Sequence, residues 1–551
     1  MLVLIHLDFQ PPFFEPNYEQ NDNALPDESQ LHKAFVDGVE SLEYMYSSQV
    51  GKAKVFELVE RPANVEELRK CYGTEPKRKA NRRQWTQNGQ IYVYSAYLDE
   101  RTNSIFPGKP SVQVLSSSFG TFPLQNAYYC HFRHYISPFN DDKSWAWDGT
   151  VVRARVRWIW QRAWDPRTEF YNPFLFTCPM PSTNLGNNVE SLVLISRNSF
   201  CVKSGEGVGI ANFTQITKPA KSSIITEQSV FGIRPDRIKI AVCTKGLDFL
   251  EESAAFSARK IVEWVLLQRA LGANAVTLYF YWIPANVRIA LQRMADRKKL
   301  EIVELNLPAN SPNQPFIRHQ FIQRNRQQKR RHELIPYNDC FNRYTATHHF
   351  VLIADIDEVV VPLRHQRWQQ LLHELLARGK WRAEPSSISV RNVFKFWHNK
   401  NIGQNANNNT DNIDSLFGLR WRSDTAQESG QYGKSFVNTR SIVSVFNHFG
   451  LHRLHANVSN TLHVSEEDAL KLHWRQQCPE EELGIEKCQQ LNTNLIRDHL
   501  LDRFKDEVEE EVLADKADER TRKKMESAFG RAFLLEWMFW KSAYGMEQWA
   551  I

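Results

Sequence analysis

The sequence predicts an α/β protein in which a mostly parallel sheet flanked by helices follows a smaller, mainly β module. Between residues 238 and 362, short apolar runs alternate with segments of helical periodicity, the order expected of a parallel sheet with right-handed crossovers. Between residues 86 and 235, strand-like runs recur without helical segments between them. The chain has 551 residues, which is enough for several domains and a large core.

These patterns divide the chain into four parts. Residues 1–85 are rich in Asn, Gln, Pro and Glu and end near a basic run, so we expect them to be loosely structured. Residues 86–235 form the β module, with strands expected at 91–97, 150–160 and 191–195. Residues 236–500 form the main α/β domain, and residues 501–551 a helical tail.

The α/β domain begins with three strands separated by two helices. We predict strands at 238–243, 275–281 and 300–305, and helices at 256–271 and 287–299. Gly272 stands where a helix commonly ends in a left-handed conformation. The turn after the first strand lacks the GxGxxG pattern, which counts against an ordinary dinucleotide-binding site.

An acidic cluster follows the next apolar run. Residues 348–353 lead to Asp355, Asp357 and Glu358, and apolar residues then resume up to Pro362. This pattern predicts a buried strand with acids at its carboxyl end, where open α/β sheets bind ligands. Asp355 and Asp357 are two residues apart, so in an extended segment both point to one side. Two such carboxylates suit Mg²⁺ or Mn²⁺ together with substrate phosphate oxygens; the alternative is an acidic turn that only ends the strand.

Composition narrows the function classes. The net charge of +6 is modest and forms no coherent basic stripe, so nucleic acid is not an expected partner. The eight cysteines include no CxxC pair, which argues against a zinc ribbon and is compatible with disulfides in an oxidising compartment. Sequons at Asn212, Asn408 and Asn457 point the same way. No stretch reaches the roughly 18 apolar residues needed to cross a bilayer.

Six longer motifs follow one another along the α/β domain: CTKGL at 243–247, ELIPYNDCF at 333–341, ADIDEVVVP at 354–362, KSFV at 434–437, FNHF at 446–449 and LHWR at 472–475. In sequence and order they resemble glycosyltransferase family 92, and residues 91–97 resemble its animal branch. Two differences stand out: Trp474 replaces a tyrosine of the family pattern, and the first strand ends differently.

The resemblance implies a catalytic domain of the GT-A type at residues 236–500. It also implies inverting transfer of a hexose, galactose from UDP-galactose, to a glycan or glycoprotein acceptor such as the core fucose of an N-glycan. Members of the family are Golgi type II membrane proteins. We therefore expect a lumenal Golgi location, with a membrane anchor that lies outside this sequence.

Three residues are candidates for binding a metal. Asp357 would be the direct ligand, and Asp355 would contact the metal or the ribose of the donor. The resemblance places His473 as a further ligand, and an imidazole ligand favours Mn²⁺ over Mg²⁺. A packed or surface histidine is the alternative for His473.

Six residues are candidates for binding the nucleotide-sugar donor: Thr244 and Lys245 at the base, Asn338 and Asp339 at the sugar or ribose, and Lys434 and Arg475 at the diphosphate. For three of them another interpretation is equally open: Asn338 and Asp339 could cap a helix, and Lys245 could be solvated.

The general base is left open by the sequence. Glu358 is close to the two aspartates and is a candidate catalytic residue, and Glu466, Glu467 and Asp468 precede His473. Two other functions also stay open: a catalytically inactive glycan-binding or scaffold protein that kept the fold, and a hydrolase that processes phosphates with the same acids.

Overall fold

The computed structural model describes residues 61–62, 85–513 and 527, with gaps in the long range. Most of the predicted N-terminal region, most of the predicted tail, and the sequons at Asn212 and Asn408 lie outside the described residues. The gaps are at 102–105, 107, 121–127, 135–149, 162–164, 182–190, 198–212, 228, 249–256, 380–381, 397–414, 419–420, 476–477 and 479.

Among the described residues, ten strands form the sheet of the first part of the chain. Their order is β1-β6-β5-β9-β10-β3-β4-β8-β7, and β2 pairs with β3. The described pairings are antiparallel except that of β10 with β3. The strands are β1 (Arg61–Pro62), β2 (Thr86–Asn88), β3 (Ile91–Asp99), β4 (Ser111–Phe119), β5 (Tyr129–His134), β6 (Thr150–Arg153), β7 (Arg155–Trp158), β8 (Tyr171–Pro179), β9 (Ser191–Ser196) and β10 (Thr214–Thr217).

The second part of the chain is mixed α/β. Its elements are β11 (Ile240–Asp248), α1 (Ala258–Ala270), β12 (Ala275–Trp282), α2 (Ala285–Asp296), β13 (Glu301–Glu304), α3 (Pro315–Arg324), α4 (Arg326–Tyr344), β14 (Phe350–Ile353), β15 (Glu358–Pro362), α5 (Trp368–Arg378), β16 (Glu384–Pro385), β17 (Ser387–Val390), β18 (Asn392–Phe396), β19 (Trp421–Ser423), β20 (Lys434–Asn438), β21 (Ile442–Val445), β22 (Gly450–Arg453), β23 (Val458–Ser459), β24 (Leu462–His463), β25 (Ala469–Arg475), α6 (Glu480–Leu483), α7 (Ile485–Thr493), β26 (Leu495–Arg497) and a helical segment at 502–513.

The main sheet has seven strands in the order β13-β12-β11-β14-β20-β17-β24. The first four are mutually parallel, as the alternation of strands and helices predicts. β20 is antiparallel to both of its neighbours, so the sheet as a whole is mixed. The α/β class predicted from the sequence is therefore confirmed.

Local details follow from identifiable residues. The side chain of Ser257 accepts from Lys260 N and so starts α1. Gly272 follows that helix with a φ of 121°, a conformation that glycine adopts without strain. The predicted strand at 150–160 is divided at Ala154, whose N–H donates to Tyr128 O at 2.7 Å. β6 and β7 consequently pair with different strands.

A three-stranded sheet, β15-β25-β18, stands beside the main sheet and positions the residues that follow β14. β15 runs antiparallel to β25, and Glu358 lies directly opposite His473. Residues opposite each other in such a pair point to the same face. Phe394 of β18 is opposite His473 on the other side and stacks on its ring.

Helix α4 joins the two parts of the structure. Arg331 is fully buried, donates to Asn172 Oδ1 at 2.9 Å and lies over the ring of Trp160. Disulfides add covalent links at Cys130–Cys178, Cys243–Cys340 and Cys478–Cys488, as the even cysteine count allowed. Among the described residues, no helix has both the length and the apolar character to span a bilayer.

Candidate active site

The acidic cluster lies in a tight turn between β14 and β15. Ala354 N donates to Cys243 O, and Glu358 N donates to Asp355 O, each at 3.0 Å. The predicted position at the carboxyl end of a buried strand is correct, whereas the extended conformation expected for Asp355 and Asp357 is replaced by a turn. The turn still brings carboxylate oxygens of Asp355, Asp357 and Glu358 within 4.8 Å of one another.

Glu358 holds this turn from below. Its side chain accepts Asp355 N–H at 3.0 Å and pairs with Lys471 at 2.5 Å and Lys434 at 3.3 Å. Burial alone would raise the pKa of this carboxyl, but Lys434 and Lys471 hold it well below its usual range. Glu358 is therefore an ionised residue whose two oxygens are both occupied by protein donors.

Asp355 is fixed by donors from three different elements. Tyr337 Oη donates to Oδ1 at 2.8 Å, and Oδ2 lies 3.3 Å from Lys434 Nζ and 3.6 Å from Lys245 Nζ. Burial opposes ionisation, yet the two lysines lower the pKa of Asp355 below its ordinary value. The same attraction works on Lys434: burial lowers its pKa, and Asp355 and Glu358 more than offset this, so the net shift is upward.

Asp357 and His473 face each other at the open side of the turn. His473 Nε2 lies 3.4 Å from Asp357 Oδ2, and Trp474 N donates to Asp357 O at 2.8 Å. The side chain of Asp357 is 28% exposed and that of His473 only 6%. Burial, then Lys471, lowers the pKa of His473, so its imidazole is neutral and has a lone pair to offer a cation.

These side chains fit a divalent cation. Ligand atoms of one octahedral ion at about 2.1 Å are roughly 3 Å apart when adjacent, close to the separation of Asp357 and His473. The other ring nitrogen of His473 lies 3.8 Å from Glu358 Oε1, the side on which ligating histidines commonly have a carboxylate. Asp357 and His473 could therefore hold the ion, with Asp355 beside them and Glu358 behind the histidine.

The predicted donor residues at β11 divide into two kinds. Thr244 and Lys245 lie within the strand and not after it, because β11 continues to Asp248; its pairing with β12 shifts register between Cys243 and Gly246. Thr244 is completely buried and its Oγ accepts Tyr279 N–H, so it lies beneath the site. Lys245 is one-quarter exposed and lies beside Asp355, as a donor-binding residue would.

Lys434 and Arg475 also lie at this edge of the structure. Lys434 is almost fully buried against Asp355 and Glu358, so its charge serves the acids directly. Arg475 is half-buried, and it is two residues beyond His473 in β25, which puts it on the same face of that strand.

Asn338 and Asp339, which the sequence predicts at the sugar or ribose of the donor, both have hydrogen-bond partners within the protein. Asn338 exchanges hydrogen bonds with the backbone N–H and C=O of Val445, both at 2.9 Å. Asp339 accepts from Tyr97 Oη at 3.0 Å and Tyr279 Oη at 2.6 Å. Both residues are buried, and they attach α4 to the β21 strand and to the β module.

The three acids that precede β25 are not placed to act as a general base. Asp468 and His473 are separated by five residues of strand, about 17 Å at roughly 3.3 Å per residue. The carboxylates are also engaged with arginines: Glu466 with Arg391, Glu467 with Arg364, and Asp468 with Arg378.

Two residues of the site had no assignment from the sequence. Lys471 precedes His473 by two positions in β25, and that spacing alone puts it on the same face. Tyr337 lies in the ELIPYNDCF motif and directly precedes Asn338 and Asp339, the two residues of the motif that the sequence predicts to bind the donor. Only the contact of each with an acid, across 113 and 18 residues of sequence, reveals its role.

Comparisons with known proteins agree with the motifs. A family model described as Glycosyltransferase family 92 matches residues 238–527, more than half of the chain and all of the site. No curated protein matches the chain significantly. A solved ferredoxin-NADP+ reductase from Plasmodium falciparum with 2'P-AMP is similar over 43% of this chain and 82% of that one, at 8% identity and a TM-score of 0.08, which supports no argument.

Proposed function

Since the chain belongs to glycosyltransferase family 92, and so transfers a sugar from a donor to a glycan acceptor, we propose that it is a metal-dependent, inverting galactosyltransferase. The proposed donor is UDP-galactose, and the proposed acceptor is a fucosylated N-glycan core. The observation that supports metal dependence is the approach of Asp357 to the neutral, buried His473, at 3.4 Å.

Asp357 and His473 would hold Mn²⁺, or less favourably Mg²⁺, with Asp355 adjacent. The bound ion would supply Lewis-acid neutralisation of the departing diphosphate. The protein's own part is to keep Asp355 oriented beside these ligands before the donor arrives. Glu358 does this through the backbone of Asp355, and Tyr337 does it through the carboxylate of Asp355.

Positive side chains around the acids would bind the donor phosphates. Lys245 is the partly exposed lysine beside Asp355, and Arg475 lies on the His473 face of β25. The charge of Lys434 is neutralised by Asp355 and Glu358. We therefore propose that Lys434 positions these two acids and does not contact the diphosphate. We also assign Glu358 to positioning, because both of its oxygens already accept from protein donors.

The GT-A type and a lumenal Golgi location form part of the proposal. Four parallel strands with acids at the carboxyl edge support the first, because ligands of open α/β sheets bind at that edge. Three disulfides support an oxidising compartment. The inactive-scaffold alternative gains no support from a site in which the acids and His473 remain together.

The experiment is a transfer assay with labelled UDP-galactose and a fucosylated N-glycan, with Mn²⁺, with Mg²⁺ or with EDTA. We expect product with Mn²⁺, less with Mg²⁺ and none with EDTA. Asp357→Asn should abolish transfer, and the matched control Asp506→Asn, an exposed residue of the 502–513 segment, should leave it unchanged. Transfer that survives EDTA, or survives Asp357→Asn, would contradict the proposal, and turnover of another UDP-sugar in its place would correct the donor.

A further inference from the structure

A cleft of about 220 Å³ lies beside the candidate active site without belonging to it. Ser435 lines it and directly follows Lys434, whose Nζ lies 3.3 Å from Asp355 Oδ2. Successive residues of a strand point to opposite faces, so the cleft and the acids share strand β20 but use its two faces. The lining residues are Ser389, Gly430, Gly433, Ser435, His448, Phe449, Asn460, Thr461 and His463.

The floor of the cleft is a row of polar side chains across three strands. Ser435 of β20 is paired with Ser389 of β17, and Ser389 is paired with His463 of β24. Paired residues in adjacent strands are neighbours on the same face, so two hydroxyls and an imidazole lie side by side. Gly433 closes one end: a Cβ there would lie 3.0 Å from both Ser389 Oγ and Val390 O, so the strands approach closely.

The wall of the cleft is the turn between β21 and β22. Ser435 Oγ donates to His448 O at 2.5 Å, and His448 Nδ1 donates to Gly433 O at 2.7 Å. Lys434 Nζ lies 3.5 Å from Asn447 O in the same turn. The KSFV and FNHF motifs therefore contact each other through Ser435 and His448, next to Lys434, which pairs with Asp355. The proposed metal chemistry uses neither Ser435 nor His448.

Polar groups lie within a lining whose exposed surface is mostly apolar. The described residues that line the cleft include no Lys, Arg, Asp or Glu. Burial lowers the pKa of His448 to about 3 and also lowers that of His463, so both rings are neutral at physiological pH. A phosphate or carboxylate on the floor of the cleft would lose its hydration, and the described lining offers it no cationic side chain.

Hydroxyl, amide and imidazole groups around an aromatic residue match a neutral sugar ring, which offers hydroxyls at its rim and apolar C–H groups on its face. Asn460 and His463 are exposed at the mouth, and Arg453 fixes Asn460 by donating to its Oδ1 at 2.5 Å. We propose that the cleft is a subsite for one neutral sugar ring of the acceptor glycan and helps to select the acceptor. This inference depends on the proposed glycosyl transfer.

The first test fills the cleft. Thr461→Trp places an indole at its half-buried rim, and Thr217→Trp, at an exposed residue of β10, is the matched control. At saturating UDP-galactose and Mn²⁺, we expect Thr461→Trp to raise the KM for the acceptor about tenfold or more, as the loss of a few sugar contacts would. Calorimetric binding of UDP should be unchanged in both variants. An acceptor KM within twofold of the parent, in a variant that unfolds at the parent temperature, would overturn the proposal.

The second test measures the binding of single sugars to the cleft in the absence of transfer. Saturation-transfer NMR would use the methyl glycosides of fucose, galactose, mannose and N-acetylglucosamine, with methyl glucuronide as the anionic comparison. We expect signal from at least one neutral glycoside, none from the glucuronide, and loss of the signal in both Thr461→Trp and the gentler His463→Ala. His499→Ala, an exposed histidine elsewhere, is the control for the latter.

The two proposals fail in different ways. Absence of UDP binding and of transfer by the parent protein would remove the proposed function, whatever the NMR shows. Intact transfer together with NMR signal that persists in Thr461→Trp and His463→Ala, or stronger signal from the glucuronide than from any neutral glycoside, would remove the cleft proposal alone.

Discussion

Replacing Glu358 by Gln is expected to destabilise the protein far more than replacing Asp357 by Asn, although the two residues are neighbours in sequence. Glu358 lies among buried charges: its side chain is 3% exposed, that of Lys471 1% and that of Lys434 3%. Asp355 and Glu358 together balance Lys434 and Lys471. Gln keeps the shape of the residue but removes one negative charge from this set.

The magnitude follows from the loss of that counter-charge. Lys434 still faces Asp355 at 3.3 Å, but Lys471 loses the carboxylate that it meets at 2.5 Å. Breaking a buried ion pair from one side costs about 3–5 kcal/mol, because the remaining charge stays out of water without a partner. The backbone N–H of Asp355 would also lose an ionised acceptor, so we expect the upper half of that range.

The assay is urea denaturation of the parent and four variants, which include Glu358→Gln and Asp357→Asn. Glu466→Gln, at an exposed residue paired with Arg391, is the control and should change the free energy of unfolding by less than about 0.5 kcal/mol. The double variant Glu358→Gln, Lys471→Met restores charge balance and should be more stable than Glu358→Gln by about 1 kcal/mol or more. A loss of under about 1 kcal/mol for Glu358→Gln, or a double variant no more stable than the single one, would refute the reasoning.

Three other predictions concern the site and the fold. Asp357→Asn should remove metal-dependent UDP binding in calorimetry while changing the free energy of unfolding by less than about 1 kcal/mol, because this side chain is partly exposed; unchanged binding would count against its role. Burial lowers the pKa values of His332 and His348 to about 3, so both imidazoles are neutral in the folded protein. Their contribution to the free energy of unfolding is complete at pH values above the pKa of histidine in the unfolded chain, about 6.5. Stability measured by urea at pH 7.5, 6.0 and 5.0 should therefore fall below about pH 6.5, by up to about 1.4 kcal/mol per pH unit for each group, and a flat profile would exclude this account. Replacing Cys243 and Cys340 by Ala, which opens a link across 97 residues, should cost about 2–5 kcal/mol in the same assay, whereas a loss below about 1 kcal/mol would mean that packing alone holds α4 on β11.

The parts of the fold that the sequence predicts are those set by local patterns. The alternation of apolar runs and amphipathic segments is a local signal, so the strands β11 to β14 and the helices α1 and α2 lie close to their expected places. The position of Asp355 and Asp357 follows from the same signal, because the acids end an apolar run. The helix stop at Gly272 is likewise local chemistry.

The parts that the sequence does not predict depend on partners far along the chain. The sequence predicts that Asp339 binds the donor, because its partner Tyr97, which donates to its carboxylate, lies 242 residues away along the chain. In the sequence, Glu358 is a carboxylate next to two others and a candidate catalytic residue. Only the fold shows that Lys471 and Lys434 pair with its two oxygens. β11 continues past the end of its apolar run, so Thr244 is buried within the strand and accepts Tyr279 N–H from β12.

The most direct test of the central claim is a crystal of the protein grown with Mn²⁺ and UDP, measured at a wavelength where manganese scatters anomalously. The account predicts one strong anomalous peak about 2.1–2.3 Å from both Asp357 and His473, adjoining the diphosphate. A peak elsewhere, or UDP bound in the site with no peak between these two residues, would contradict it.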